Sequence, residues 1–350
     1  MATERLISPE PVSTEDERGS WSLRPTSIQE YVGQTDLIER LQIAIAASLE
    51  RGEPMDHLLL HGPPGLGKTT LAHVVAAEMG SRVQATSGPA LARGTDLVAA
   101  LTRLEMGDVL FIDEIHRLPV AVEEFIYPAM EEFRIDVCID SGLHARTVQI
   151  KCKPFTLIGA TTRAGLLSAP LRSRFGLTHH LRYYETGELL SILRRSAALL
   201  GMEIADDGPM ETIAARSRGT PRIANRLLRR VRDFAQVRAG GAVSVEVVGA
   251  ALALEGVDAL GLDELDRSYL RVIGGTYEGG PVGLEAVAAT MNEDAGTLED
   301  VVEPYLLQIG FLARTKRGRM LTSAGGGHVG LKSRGKPALD DEGDGLPFHR

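Results

Sequence analysis

The chain has 350 residues, a net charge of −9 and two cysteines, Cys138 and Cys152. That length accommodates two or three domains. No apolar run approaches the ~20 residues that span a bilayer, which excludes a helical membrane protein, and two cysteines provide neither a disulfide framework nor a zinc site, so a reducing cytoplasm suits the chain.

Residues 1–20 are polar and acidic, without the apolar stretch of a signal peptide, and read as a disordered leader. From residue 21 to about 184, short apolar runs alternate with helical patterns. The expected strands are Leu58–Leu60, Val83–Ala85, Val109–Ile112 and Thr156–Ala160. Continuous apolar strands of this kind indicate a parallel sheet covered on both faces, hence an α/β domain.

Gly62-Pro63-Pro64-Gly65-Leu66-Gly67-Lys68-Thr69-Thr70 follows the first strand and opens an amphipathic stretch from Leu71 to Met79. The spacing G-x-x-x-x-G-K-[ST], in the order strand, loop, helix, is that of a phosphate-binding loop. Its glycines let backbone N–H groups curl around phosphate oxygens at a positive helix end. Lys68 can reach the β- and γ-phosphates, and the Thr69 hydroxyl can ligate Mg²⁺. The apolar strand Val109–Ile112 ends in Asp113-Glu114. Beside a phosphate loop, Asp113 would hold Mg²⁺ through water and Glu114 would polarise the attacking water. Thr156–Ala160 ends in Thr161 and Thr162, either of which can orient water or touch a γ-phosphate. Arg172 and Arg174 follow Pro170. One of them, offered to a neighbouring subunit, can neutralise transition-state charge, although spacing does not decide which.

Phe133–Asp140 and His144–Ile150 alternate with period two around Ser141-Gly142, the pattern of a β-hairpin. Its apolar row (Ile135, Val137, Ile139, Val148, Ile150) can pack on its own domain or meet a partner. The two cysteines could face each other across it, but two packed free thiols are the simpler reading. From 185 to about 255 the pattern is helical throughout: Gly187–Leu200, Gly208–Ser217, Pro221–Ala239 and Ser244–Leu254. Thr220 is the expected N-cap of the third helix, with Pro221 at its first position, which places Arg222 in the first turn. From 256 to about 335, Leu262–Ile273, Gly283–Met291 and a helix starting at Thr297 precede two short strands, Phe311–Arg314 and Arg319–Leu321. Three helices and a basic wing suggest a winged-helix DNA-binding domain. No acidic residue lies between Pro304 and Leu339, so a local basic surface can bind phosphates on an acidic protein. Residues 336–350 read as a disordered acidic tail.

Taken in this order, the motifs resemble the AAA+ ATPases. The stretches Leu110–Leu118, Gly159–Gly165, Leu171–Gly176, Gly219–Arg229 and Gly310–Arg319 resemble more closely the RuvB family, bacterial motors of Holliday junction branch migration in recombination and repair. The resemblance covers about residues 21–335. It implies an ATP- and Mg²⁺-dependent ATPase that forms a hexameric ring on duplex DNA. It also implies a RuvA-like partner at the four-way junction, and leaves room for a resolvase there. Under the resemblance, Leu23, Arg24, Glu131, Glu132, Phe133 and Tyr184 contact nucleotide. Thr162 is the first sensor, with Thr161 as the alternative. Arg174 is the arginine finger and Arg222 the second sensor. The hairpin, through Ile135, Val137, Val148 and Ile150, docks on the RuvA-like partner, and Arg314 and Arg319 contact DNA. A clamp-loader-like ATP switch and an ATP-sensing transcription factor share parts of this pattern. The basic wing favours DNA over a purely protein substrate, Asp113-Glu114 favours hydrolysis, and no helix has a base-reading surface rich in Asn, Gln and Arg.

Overall fold

The computed structural model describes residue 7 and residues 21–138 and 147–331. The hairpin tip, most of the leader, Ile139 and the tail lie outside the described residues. Two units are present, one ending at Gly261 and one beginning at Leu262.

The first unit is built on a parallel sheet of β1 (Leu58–His61), β2 (Val83–Ser87), β3 (Val109–Asp113), β6 (Thr156–Thr161) and β7 (Leu177–His180), in the order β2-β3-β6-β1-β7. Alternate side chains go to opposite faces. Leu58, Leu60, Val109, Phe111, Ile158 and Ala160 join one apolar cluster, while Leu59, Leu110, Ile112 and Leu157 join another. Every one of these positions needs an apolar residue because helices cover both faces. The first face carries α1 (Thr35–Arg51) and α2 (Lys68–Glu78); the second carries α3 (Gly94–Leu101), α4 (Val120–Glu132) and the short α5 (Ala169–Ser173). In α1 the buried side chains Leu37, Leu41, Ile45 and Ser48 recur at helical spacing, which turns one stripe to the sheet.

Four helices follow: α6 (Thr186–Leu199), α7 (Gly208–Ala215), α8 (Pro221–Arg238) and α9 (Val245–Leu254), each close to its expected position. Their apolar faces (Leu189, Leu193, Ile213, Leu227, Val248) belong to the same cluster as Leu58 and Leu71, so this bundle and the α1 face of the sheet share one core. Ile7, in the segment expected to be disordered, is fully buried in that cluster.

β4 (Arg134–Cys138) and β5 (Thr147–Lys151) form the expected antiparallel pair. Its register sets Cys138 opposite Thr147 and leaves Cys152 at the far end of the ladder, buried as a free thiol, so the cysteines do not face each other. The apolar row divides. Ile135 is fully buried in the second cluster and anchors the hairpin, so it is not part of an outward-facing surface. Ile150 is half-buried and Val148 is exposed.

The second unit contains α10 (Glu264–Arg271), α11 (Leu284–Met291), a continuous helical run α12 over 295–308, the strands β8 (Leu312–Thr315) and β9 (Gly318–Leu321), and α13 (Ser323–His328), around Tyr269, Leu270, Ile273, Leu298 and Leu306. The helix expected from Thr297 begins earlier. Asp294 caps it, accepting the Thr297 N–H at 2.9 Å, because an Asx side chain satisfies a free donor of the first turn.

Candidate nucleotide site and basic wing

Strand order places the site. β6 lies between β1 and β3, so the loop after β1, the carboxylates ending β3 and the hydroxyls ending β6 emerge side by side. This is the crevice at the carboxyl ends of parallel strands where ligands of open α/β sheets bind.

Gly62, Gly65 and Gly67 have φ of 140°, 78° and 98°, which turns successive N–H groups to one side of the loop. A Cβ on Gly67 would stand 3.0 Å from the Tyr31 hydroxyl. Lys68 is buried, and its ammonium donates to the carbonyls of Gly62 (2.8 Å) and Pro63 (2.9 Å), across the mouth of the loop. Burial pulls its pKa down to about 8. Asp113 and Glu114 act in the opposite direction, and Arg222 lowers it further. Arg222, in the first turn of α8, is thus among the charges that act on Lys68. Thr69 and Thr70 sit half-buried in the first turn of α2.

Glu114 occupies the left-handed region (φ 47°), unusual for a residue with a Cβ, and its N–H donates to Asp113 Oδ1 at 2.9 Å. The turn aims its carboxylate at β6. There the Thr162 hydroxyl donates to it at 3.4 Å and His116 Nδ1 lies 3.3 Å away. Burial, and then the neighbouring Asp113, raise the Glu114 pKa, a direction that suits a general base. Thr161 is fully buried. Its oxygen lies 2.8 Å from His116 Nδ1 and accepts the Arg163 N–H at 3.0 Å. Thr162 is therefore the hydroxyl that reaches Glu114, and Thr161 ties β6 to His116.

Tyr184 joins the parts of the site. Its hydroxyl stands 3.2 Å from that of Tyr31 and 3.3 Å from the Leu66 carbonyl, and its N–H donates to Gly219 O at 2.9 Å, three residues before Arg222. Thr220 does not cap α8 through its side chain; its hydroxyl donates instead to Arg218 O at 3.2 Å. The Trp21–Arg24 segment lies against α2. The Arg24 guanidinium is 3.8 Å from the centre of the Trp21 ring, which meets His73 edge-on, and the buried Leu23 offers its carbonyl to Arg195 of α6 at 2.5 Å.

Other expected contacts lie elsewhere. Arg174 rests on α4, across the sheet from α2. It pairs with Glu131 at 3.0 Å, donates to Pro170 O at 2.7 Å and lies 4.3 Å from the centre of the Tyr127 ring. Glu132 pairs with Arg134 at 2.5 Å, and Phe133 packs on Phe155. These groups are not gathered around the Lys68 of their own chain. His116 and Tyr31 were not expected from sequence. Only the position of His116, two residues after Glu114, hinted at it, and nothing local marks Tyr31.

In the second unit, Arg314 and Arg319 face each other across β8 and β9. Both bind Glu303, whose side chain is fully buried. Arg314 Nε and Arg319 Nε each donate to it at 2.8 Å, and the Tyr269 hydroxyl donates as well. Glu299 adds ion pairs to Arg314 (3.6 Å) and Arg319 (3.4 Å).

Three family models match successive stretches of the chain. They describe the Holliday junction DNA helicase RuvB P-loop domain over residues 23–181, the RuvB AAA lid domain over 184–258 and the RuvB C-terminal winged helix domain over 259–330. The Holliday junction branch migration complex subunit RuvB of Desulfosudis oleivorans is 56% identical over 324 residues, 92% of this chain and 94% of that protein. The Thermotoga maritima RuvB Holliday junction branch migration motor superposes with a TM-score of 0.81 at 50% identity, covering 89% of this chain and 100% of the other. A mutant form of the same protein superposes at 0.82, again with 50% identity, covering 89% of this chain and 100% of its own. The chain belongs to the RuvB family of AAA+ P-loop ATPases.

Proposed function

We propose that this chain is the ATP-driven subunit of a ring, a homohexamer on duplex DNA, that drives Holliday junction branch migration with a RuvA-like junction-binding partner. The observation that carries this reading is the convergence of Lys68, Asp113-Glu114, Thr162 and Arg222 at one nucleotide site in a chain that also bears a winged unit. Its working parts are the α/β domain over 21–184, the helical lid over 185–255 and the winged head over 256–335.

The backbone N–H groups of Gly65 and Gly67 and the Lys68 ammonium bind the phosphates, while Leu23, Arg24 and Tyr184 border the rest of the nucleotide. Thr69 and Asp113 supply a hydroxyl and a carboxylate, hard oxygen donors of the kind Mg²⁺ takes. When bound, Mg²⁺ neutralises charge on the β- and γ-phosphate oxygens. Glu114 takes the proton of the attacking water, and Thr162 donates a hydrogen bond that orients it. Arg222 reads the γ-phosphate from the lid, so loss of that phosphate changes the contacts between α8 and the loop. Arg174 completes the site of the next subunit, and Glu131, Glu132 and Phe133 lie along that boundary. The wing grips backbone phosphates through basic side chains, Arg314 and Arg319 among the candidates, so pulling is independent of base sequence. Val148, Ile150 and Val137 border the surface that meets the RuvA-like partner. A junction resolvase can share the assembly.

The test is dissociation of a synthetic four-way junction by the purified chain with ATP, with and without a RuvA-like protein. ATP-dependent strand separation that the partner stimulates is the expected result. ATP hydrolysis without any movement of the junction would overturn the motor reading and leave an ATP switch.

A further inference from the structure

The turn that follows Glu114 is clamped on both sides. Glu114 O accepts the Arg117 N–H at 2.8 Å, which closes the 3₁₀ turn Ile115–Arg117. Ile115 is fully buried against Gly159 of β6, where a Cβ would stand 2.9 Å from Ile115 Cδ1. From the other side Gly88, just after β2, comes so close that its Cβ would stand 2.4 Å from Glu114 O. The backbone that carries Glu114 and His116 is therefore packed without slack between two strands of the sheet.

His116 projects from this turn with its side chain only 7% exposed. Its Nδ1 lies 2.8 Å from Thr161 Oγ1 and 3.3 Å from Glu114 Oε2. The Thr161 hydroxyl is fixed in its turn, being fully buried and accepting the Arg163 N–H at 3.0 Å. A bare Nδ1 would set a lone pair against a carboxylate oxygen, whereas a protonated Nδ1 presents one N–H to two acceptors. The geometry thus favours a proton on Nδ1. Thr162 donates to the same carboxylate oxygen, Oε2, at 3.4 Å, and Oε1 has no hydrogen bond among the described residues. Two neighbours hold one oxygen of Glu114 and leave the other for a reacting water.

We propose that His116 is a positioning residue for ATP hydrolysis. Its Nδ1–H links Thr161 of β6 to Glu114 Oε2 and holds the carboxylate so that Oε1 is the oxygen that meets the attacking water. This rests on the reading of Glu114 as general base and deepens it. In that step the water oxygen bonds to the γ-phosphorus and its proton passes to Oε1. The bond to the β–γ bridging oxygen breaks, leaving ADP and phosphate. A carboxylate free to rotate spends less time in the productive direction, which lowers turnover without weakening nucleotide binding.

The test is ATP turnover, ATP affinity and thermal melting of the full-length protein and its variants. His116→Ala is expected to lower kcat roughly 10- to 100-fold, with KM and ATP affinity within about twofold and melting unchanged. His116→Asn sets an amide N–H near the place of Nδ1 and should restore most of the turnover. His116→Asp has the same shape but sets an acceptor there, and should not. The Asn and Asp variants decide the matter even if the Ala variant folds poorly. Parental kcat in His116→Ala would overturn the proposal. So would an Asn variant no faster than the Asp variant, or a loss confined to ATP affinity. Glu114→Gln is the separate control: hydrolysis by that variant at the parental rate would remove the general-base reading, and the proposal with it.

Discussion

Lys68 and Glu114 show how the fold tunes single residues at the candidate nucleotide site. Lys68 is buried beside two carboxylates and one arginine, and burial, the largest influence, brings its pKa to about 8. Bound phosphate favours the ammonium, so binding takes up a proton wherever the free site has lost one. ATP affinity should therefore be flat below pH 8 and weaken as pH rises above it, by roughly tenfold per unit at most. A nucleotide titration between pH 7 and 9.5 checks this, and constant affinity across that range would contradict it. Glu114 was legible as a candidate catalytic carboxylate because it follows Asp113 at a strand end. Its left-handed backbone and its contact with Thr162 were not legible, the second because it depends on β6 lying alongside. The same holds at Arg314 and Arg319. Sequence showed a basic cluster with no acid between Pro304 and Leu339, but the balancing carboxylates come from Glu299 and Glu303 on α12, just upstream.

Most helices and four of the five sheet strands were readable as elements, because apolar periodicity and N-terminal caps are local signals. β7 was not, since Leu177-Thr178-His179-His180 has one apolar residue and no alternation; pairing with β1 makes it a strand. Strand order was equally hidden, and it is what brings Thr162 between the loop and Glu114. His57 shows how the sheet is tied beneath the site. Its Nδ1 accepts the Leu157 N–H at 2.9 Å, so Nε2 carries the proton and donates to Met130 O at 3.0 Å, joining β1, β6 and α4. Burial lowers its pKa below the usual histidine value. The folded pKa is thus below the unfolded one, so the stability it contributes is complete above about pH 6.5 and is lost as pH falls through the folded value. His57→Phe should cost about 1–3 kcal/mol at pH 7.5 by leaving two buried groups unpaired. It should also flatten the acid side of the stability curve, which denaturant melts between pH 5 and 8 would measure.

For the molecule as a whole, the placement of Arg174 is the most informative fact. It is held on α4 by Glu131 and Tyr127 and does not approach its own phosphate loop, as a group offered to a neighbour would be. Arg174→Ala should keep ATP binding and lose roughly 10³-fold or more in turnover. Mixing it with Lys68→Ala subunits, which retain Arg174, should restore part of the activity, whereas no recovery in mixed rings would argue against action between subunits. Sequence by itself determined the kinds of chemistry present and most of their local frames: the phosphate loop, the paired carboxylates, the helical segment and the basic wing. Each is specified by residues close together in the chain, through turn geometry, period and capping. Tertiary structure alone decided which hydroxyl reaches Glu114, how Tyr184 links the loop to α8, that Arg174 stays with α4, and which carboxylates pair with Arg314 and Arg319. Those depend on strand order and on charges brought together from distant segments, and local patterns carry no record of either.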